Sequence, residues 1–276
     1  LNLFFVAVLG MTVNGVATAT VLSNAISSVL LFVWLRRSDK AIHLDWAALR
    51  IDRRSLQKIL QIGIPAGIQS AVFSISNIVI QSAINSLGTV VMAASSAAFN
   101  IEVVAYDVLN SFSQACTTFV GQNYGAGKLD RCRKTLVLCL VEDALASGIA
   151  ILLVLGSGHF LLSLFNRDPE VIALGYTRLM TVFTAYFFSM LYEVMSGYLR
   201  GFGISLVPAL LTMLGVCGVR ILWIATAFPR SRTFQTILLA YPLSLAATAV
   251  LILLALLIYH PSRRTKGEAV CSLPSL

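Results

Sequence analysis

The groups in this sequence best placed to do chemistry are acidic residues lying inside apolar runs. Glu193 sits within the stretch from Phe187 to Leu199 and, at helical spacing, shares a face with Tyr186, Ser189, Ser196, Gly197 and Arg200. Glu102 lies in another such run, on a face with Tyr106, Asn110, Ser113 and Thr117, while Asp107 falls on the adjoining face with Asn100, Gln114 and Thr118. A carboxylate among apolar side chains is costly unless it is partnered, hydrated or protonated. Glu193 therefore marks either an ion or substrate path or a salt bridge to an arginine of another helix, and the broad polar surface around Glu102 and Asp107 must face protein or water. Arg200 follows Glu193 by seven residues, about 10 Å along a helix and too far for a tight pair without bending. Tyr106, Tyr186 and Tyr192 stand beside the acids and offer ring faces to flat cations.

Amides form a second constellation. At 100° per residue, Ser70, Ser74, Asn77, Gln81 and Asn85 fall within about 80° of one another, with Gln69 alongside. Such a stripe either hydrogen-bonds neighbouring helices or walls a water-filled cavity, and both readings stand at this point. Glu142 and Asp143 fit a different role, snorkelling or pairing with Arg133 or Lys134 at the membrane edge.

Other chemistries lack their parts. Gly121 to Lys128 glances at a phosphate-binding loop, but Gln122 and Leu129 occupy positions where that loop needs Gly and Ser or Thr. His43, His159 and His260 lie singly at span edges, and Cys116, Cys132, Cys139, Cys217 and Cys271 show no paired ligand spacing. With no nucleophile elbow or metal-ligand pair, the expectation is a protein that is not an enzyme and holds no cofactor or metal.

The elements that must position these residues follow from composition. Apolar residues make up 58% of the 276 and charged residues 12%, too greasy for a soluble domain, where charge is about 25%. The expected fold class is all-α and polytopic in a membrane. The net charge of +8 does not point to nucleic acid, because fifteen of the twenty Lys and Arg fall in 36–58, 128–134, Arg200 and 263–266. If the chain crosses the bilayer once between elements, these lie on one face, expected to be cytoplasmic. Expected spans are Val13 to Leu35, Gln61 to Leu87, Val91 to Val120, Thr135 to Leu155, Val171 to Tyr198, Ser205 to Phe228 and Gln235 to Tyr259. Residues 52–58 read as an interfacial amphipathic helix. Gly121, Gly125 and Gly127 let the third span stop near Val120 and reverse. Pro65 suits the first turn of its helix, Pro169 a helix start, and Pro242 a kink. Leu1 opens within an apolar run, which suggests the C-terminal part of a longer protein.

Several words of the sequence together resemble the multidrug and toxic compound extrusion (MATE) family of antiporters. They are Gly15-Val-Ala-Thr-Ala-Thr20, Gly63-Ile-Pro-Ala-Gly67, Val120-Gly-Gln-Asn-Tyr-Gly-Ala-Gly127 with Arg131, Leu199-Arg-Gly-Phe-Gly203 with Pro208, and Arg220 with Trp223. The resemblance implies twelve helices in two six-helix lobes around a central cavity, working by alternating access. Residues 1–35 would end the first lobe (helices five and six), 36–60 would link the lobes, 61–259 would form the second lobe (helices seven to twelve), and 260–276 would be a cytoplasmic tail. It further implies a multi-pass protein of the plasma or inner membrane, monomeric once complete, that exchanges inward H+ or Na+ for outward organic cations. Ion coupling then falls to Glu193, Glu102 or Asp107, and the cavity to Gln69, Ser70, Ser74, Asn77, Gln81, Asn85, Tyr106, Asn110, Tyr186 and Tyr192. Members resembling the sodium-coupled branch carry a glutamate about where Phe73 stands, so that site is missing. A flippase of lipid-linked precursors is the alternative. It calls for a cavity rich in Arg and Lys, whereas these spans are expected to offer amides and carboxylates.

Overall fold

The computed structural model describes residues 4–8, 10–37 and 50–259, and every regular element among them is helical. The chain divides into two compact units, Leu1–Gln57 and Lys58–Leu276.

In the first unit, a π-helical turn at Phe4–Val8 precedes α1, Val13–Arg37. Only Gly15 and Ala19 of α1 are buried. Its hydroxyls at Thr18, Thr20 and Ser28 each donate to the carbonyl four residues earlier, which satisfies them without a partner helix.

The second unit begins inside α2, Arg53–Asn85. It continues with α3, Thr89–Gly125, α4, Leu129–Ser163, and α5, Pro169–Gly201. Then come α6, Leu206–Thr212, a π-helical turn at Met213–Gly218, α7, Val219–Thr226, and α8, Phe234–Tyr259. Counting α6 to α7 as one crossing, seven helices among the described residues are long and apolar enough to span a membrane. This is the polytopic all-α architecture that the composition predicts. The spacing placed the crossings well and erred mainly at their ends.

α5 is the centre of this unit and packs against α3, α4 and α8. Its seam with α3 is close because glycine faces backbone. A Cβ at Gly197 would lie 2.5 Å from the Ser113 carbonyl oxygen. Small residues of this kind let helices in lipid approach until their polar groups meet. α2 joins the bundle through Ile80, Ala83 and Ile84, which pack with Ile224, Phe228 and Ile237 of α7, its C-terminal loop and α8.

Several expectations need correction. α3 does not stop near Val120 but runs to Gly125, because the lone Gly121 is tolerated within a helix that keeps its hydrogen bonds. The turn then closes on Gly127, whose φ of 70° places it in the left-handed region, with the Lys128 N–H donating to the Asn123 carbonyl at 2.8 Å. The segment 52–58 is not a separate interfacial helix, since residues from Arg53 onward are the first turns of α2. Pro65 therefore lies well inside α2 and not in its first turn. The span from Ser205 is interrupted by its π-helical turn, where Gly215 seats directly on Thr248 of α8. Pro169 does open α5, and the Asp168 carboxylate accepts from the Glu170 N–H at 2.9 Å as its cap. The expected tail, 260–276, with His260 and Cys271, and residues 38–49 of the expected linker, with His43, lie outside the described residues.

Candidate functional site

The α3–α5 seam carries two carboxylate–guanidinium contacts of different character. Toward one end, Arg178 of α5 grips Glu102 of α3 with both forks: Nε to Oε1 at 2.7 Å and Nη2 to Oε2 at 2.8 Å. The side chains are 3% and 5% exposed, and Arg178 also donates to the Ser95 hydroxyl and, at 3.4 Å, to that of Tyr241. A bidentate pair with further hydrogen bonds is what a charge needs to survive burial. Toward the other end, Glu193 and Arg200 lie on α5 itself, at 3.7 Å between Oε2 and Nη2. That contact is as loose as the seven-residue spacing predicts. Tyr106 of α3 donates its hydroxyl to Glu193 Oε1 at 3.0 Å, and Arg200 donates to the Ser113 hydroxyl at 2.9 Å.

The second unit holds two cavities with a common wall. One, of 250 Å³, is lined by Phe73, Asn77, Glu102, Tyr106, Tyr186, Ser189, Tyr192 and Arg220 among others. The other, of 410 Å³, is lined by Asn77, Gln81, Asn100 and Arg178 among others, and the two share Asn77, Phe99 and Tyr241. Tyr241 lies between two cations. The Arg220 guanidinium carbon sits 4.4 Å from its ring centroid and that of Arg178 5.4 Å. Arg220 also donates through Nε to the Ser244 hydroxyl at 3.0 Å. The π-helical turn contributes Val216 to the same wall.

The predicted residues divide accordingly. Glu102, Tyr106, Tyr186, Tyr192, Asn77 and Gln81 border the cavities, and Glu193 reaches them through the Tyr106 hydroxyl. Phe73, which stands where the sodium-coupled branch is expected to have its glutamate, lines the smaller cavity. Asp107 is exposed and Asn110 half-buried, and neither lines either cavity. Ser70, Ser74 and Asn85 lie on an exposed face of α2. Ser74 donates to the Ser70 carbonyl at 3.0 Å, and Asn85 accepts from Gln81 at 2.8 Å. Gln69 is engaged elsewhere, donating to the Thr212 hydroxyl at 2.7 Å.

Two readings of the charged residues are corrected. Asp143 neither snorkels nor pairs with Arg133 or Lys134. It is fully buried and accepts from the Ser147 hydroxyl at 2.6 Å, because it sits on the inner face of α4 while Glu142 beside it is exposed. The spans also offer more than amides and carboxylates, since Arg178 and Arg220 both face the cavities. The signal that Arg178 offers in the sequence is that of a lone arginine inside an apolar helix. Arg220 stands out in the sequence as part of a motif, and Tyr241 shows no sign beyond being an aromatic in an apolar helix.

Cys116, Cys132, Cys139 and Cys217 are buried as free thiols, in keeping with small apolar fillers. His159 stacks on Tyr176 with ring centroids 4.0 Å apart.

The MatE family model matches residues 65–225, more than half of the chain. The chain belongs to the MatE family. Over 212 residues it is 26% identical to the probable multidrug resistance protein YoeA of Bacillus subtilis, covering 76% of this chain and 46% of that protein. It is 25% identical over 266 residues to the probable multidrug resistance protein NorM of Thermotoga maritima, covering 94% of this chain and 55% of that one. The MatE chain thus spans about half the length of these relatives. A solved structure described as the outward-facing conformation of a multidrug resistance MATE family transporter superposes with a TM-score of 0.84 at 18% identity, over 95% of this chain and 60% of that one. A transporter from Pyrococcus furiosus, described as having a binding pocket of reverse polarity, also superposes at 0.84 and 18% identity, over 95% and 59%. This MatE chain is accordingly a multi-pass membrane protein with the fold of multidrug efflux transporters.

Proposed function

We propose that the complete protein exports small organic cations across the cytoplasmic membrane in exchange for inward H+ or Na+. The chain supplies one wall of a cavity that opens alternately to each side. The observation that carries this reading is Tyr106, whose ring lines the cavity while its hydroxyl holds Glu193. An ion arriving at Glu193 competes with that hydroxyl and with the loosely held Arg200 for the carboxylate oxygens, so ion binding and cavity shape are linked through one side chain. The tyrosine faces accept flat cations. The basic loops, including 128–134, then lie on the cytoplasmic side.

The test is transport of a fluorescent cation into vesicles holding the complete protein, under an imposed proton or sodium gradient. Glu193→Gln removes the charge and keeps the shape, and gradient-driven transport is expected to fall at least about tenfold, the range of a single functional ionisable group. Unchanged transport with unchanged pH and sodium dependence would remove Glu193 from the ion path. A second reading, movement of lipid-linked anionic precursors, draws on Arg178 and Arg220 at the cavity. It ranks below the first because Arg178 is already neutralised by Glu102, which leaves Arg220 as a single guanidinium at the cavity where a lipid-linked pyrophosphate calls for several cations.

A further inference from the structure

Three charged side chains border the joined cavities among the described residues, and they do not cancel. Glu102 is committed to Arg178 through both oxygens. Arg220 is left with no carboxylate within 4 Å among the described residues, although it is only 8% exposed. A guanidinium stays charged at any physiological pH, and burying it without a counter-charge is costly inside a membrane. Its present partners are neutral. They are the Ser244 hydroxyl on Nε and the face of Tyr241. The two terminal nitrogens, the fork that matches an oxyanion bidentately, hydrogen-bond to no described residue. On the substrate side, the commitment of Glu102 means that a cationic or aromatic body meets mainly ring faces, those of Phe99, Tyr106 and Tyr186.

We infer that the cavity takes molecules bearing an oxyanion, a carboxylate or its like, held by the terminal nitrogens of Arg220, next to an aromatic or cationic body held by the tyrosines. Zwitterions are then bound in preference to plain cations. The inference deepens the transport reading and rests on it for the claim that the ligand is cargo. Tyr241 has a positioning role, its ring holding the guanidinium in place so that little side-chain freedom is lost when the oxyanion arrives.

The experiment uses the purified complete protein and two dyes of one body, a zwitterionic rhodamine with a free carboxylate and its methyl ester. The acid is expected to bind at least about tenfold more tightly than the ester, as for a hydrogen bond to a charged group. Arg220→Gln should bring the acid to the level of the ester and leave the ester within about twofold. Arg220→Lys should recover part of the difference, since an ammonium keeps the charge but loses the fork. Equal binding of acid and ester by the wild type, or equal weakening of both by Arg220→Gln, overturns the inference. Should Arg220→Gln fail to fold, the wild-type comparison decides alone. In vesicles, if neither dye moves under a proton or sodium gradient, the transport reading fails, while the binding comparison still decides whether an oxyanion site exists.

Discussion

The same two helices, α3 and α5, carry two charged contacts of opposite character, one tight and one loose. Glu102 and Arg178 come from different helices, are closed off from solvent and exchange two short hydrogen bonds. Glu193 and Arg200 come from one helix, stand 3.7 Å apart and are 12% and 29% exposed. The first pair is built to stay as it is, because breaking it strands a buried charge. The second has little to lose, because solvent and the hydroxyls of Tyr106 and Ser113 are at hand. A carrier needs both kinds of contact, one holding its wall together and one changing partners as ions come and go.

Breaking the first pair is expected to have the largest effect. Glu102→Ala leaves the Arg178 guanidinium buried with only the neutral hydroxyls of Ser95 and Tyr241 as hydrogen-bond partners among the described residues, and should cost about 3–5 kcal/mol. Unfolding of the purified protein in a denaturing detergent series measures it. Removing both charges with apolar residues of similar volume should restore much of the loss, which the double-mutant cycle reads directly. A small effect of Glu102→Ala would make the two pairs alike and leave Glu102 free to serve as an ion site.

A smaller loss is expected where the helices touch without charge. Gly197→Ala would place a methyl 2.5 Å from the Ser113 carbonyl oxygen, which is backbone and cannot swing away. Overpacking of this kind costs about 1–3 kcal/mol. It should also separate Tyr106 from Glu193 by prising the helices apart, so transport should fall more than stability.

These contacts were unequally legible in the sequence. Helical periodicity placed Glu102, Tyr106, Ser113 and Thr117 on one face, and that face does meet α5. Burial in an apolar run was enough to single out Glu193. The partner of Glu102, however, lies 76 residues away, and no spacing rule reaches across two turns to name it. The stripe on α2 divides. Which of its residues line the two described cavities depends on how α2 leans on α7 and α8, so Asn77 and Gln81 line their wall while Ser70, Ser74 and Asn85 lie on an exposed face of α2. Helix ends proved the least legible, because a glycine such as Gly121 permits a break without requiring one.

On the loose side, Tyr106→Phe removes the hydroxyl that joins Glu193 to the cavity and keeps the ring in place. The expected cost is about 1 kcal/mol, that of one hydrogen bond whose acceptor can still find Arg200. Binding of an organic cation should persist, while its dependence on the proton or sodium gradient should weaken. Persistence of full coupling would move the link between ion and cargo to another side chain.

The smallest stability effect is expected from Arg200→Gln, and it tests the comparison most sharply. A contact of 3.7 Å with one partner 29% exposed gains little from charge attraction, so the loss should stay below about 1 kcal/mol and shrink further with added salt. Gln can still donate to the Ser113 hydroxyl, so the helix seam should hold. What changes is the charge beside Glu193. Without Arg200 the acid keeps Tyr106 as its partner and faces no competing cation, so a coupling ion should bind more tightly and leave more slowly. Gradient-driven transport should then reach half-saturation at a lower ion concentration with a reduced maximal rate. If Arg200→Gln instead destabilises the protein as much as Glu102→Ala does, the looseness of the Glu193 contact has no functional meaning, and α5 is tied to α3 by two structural staples rather than one.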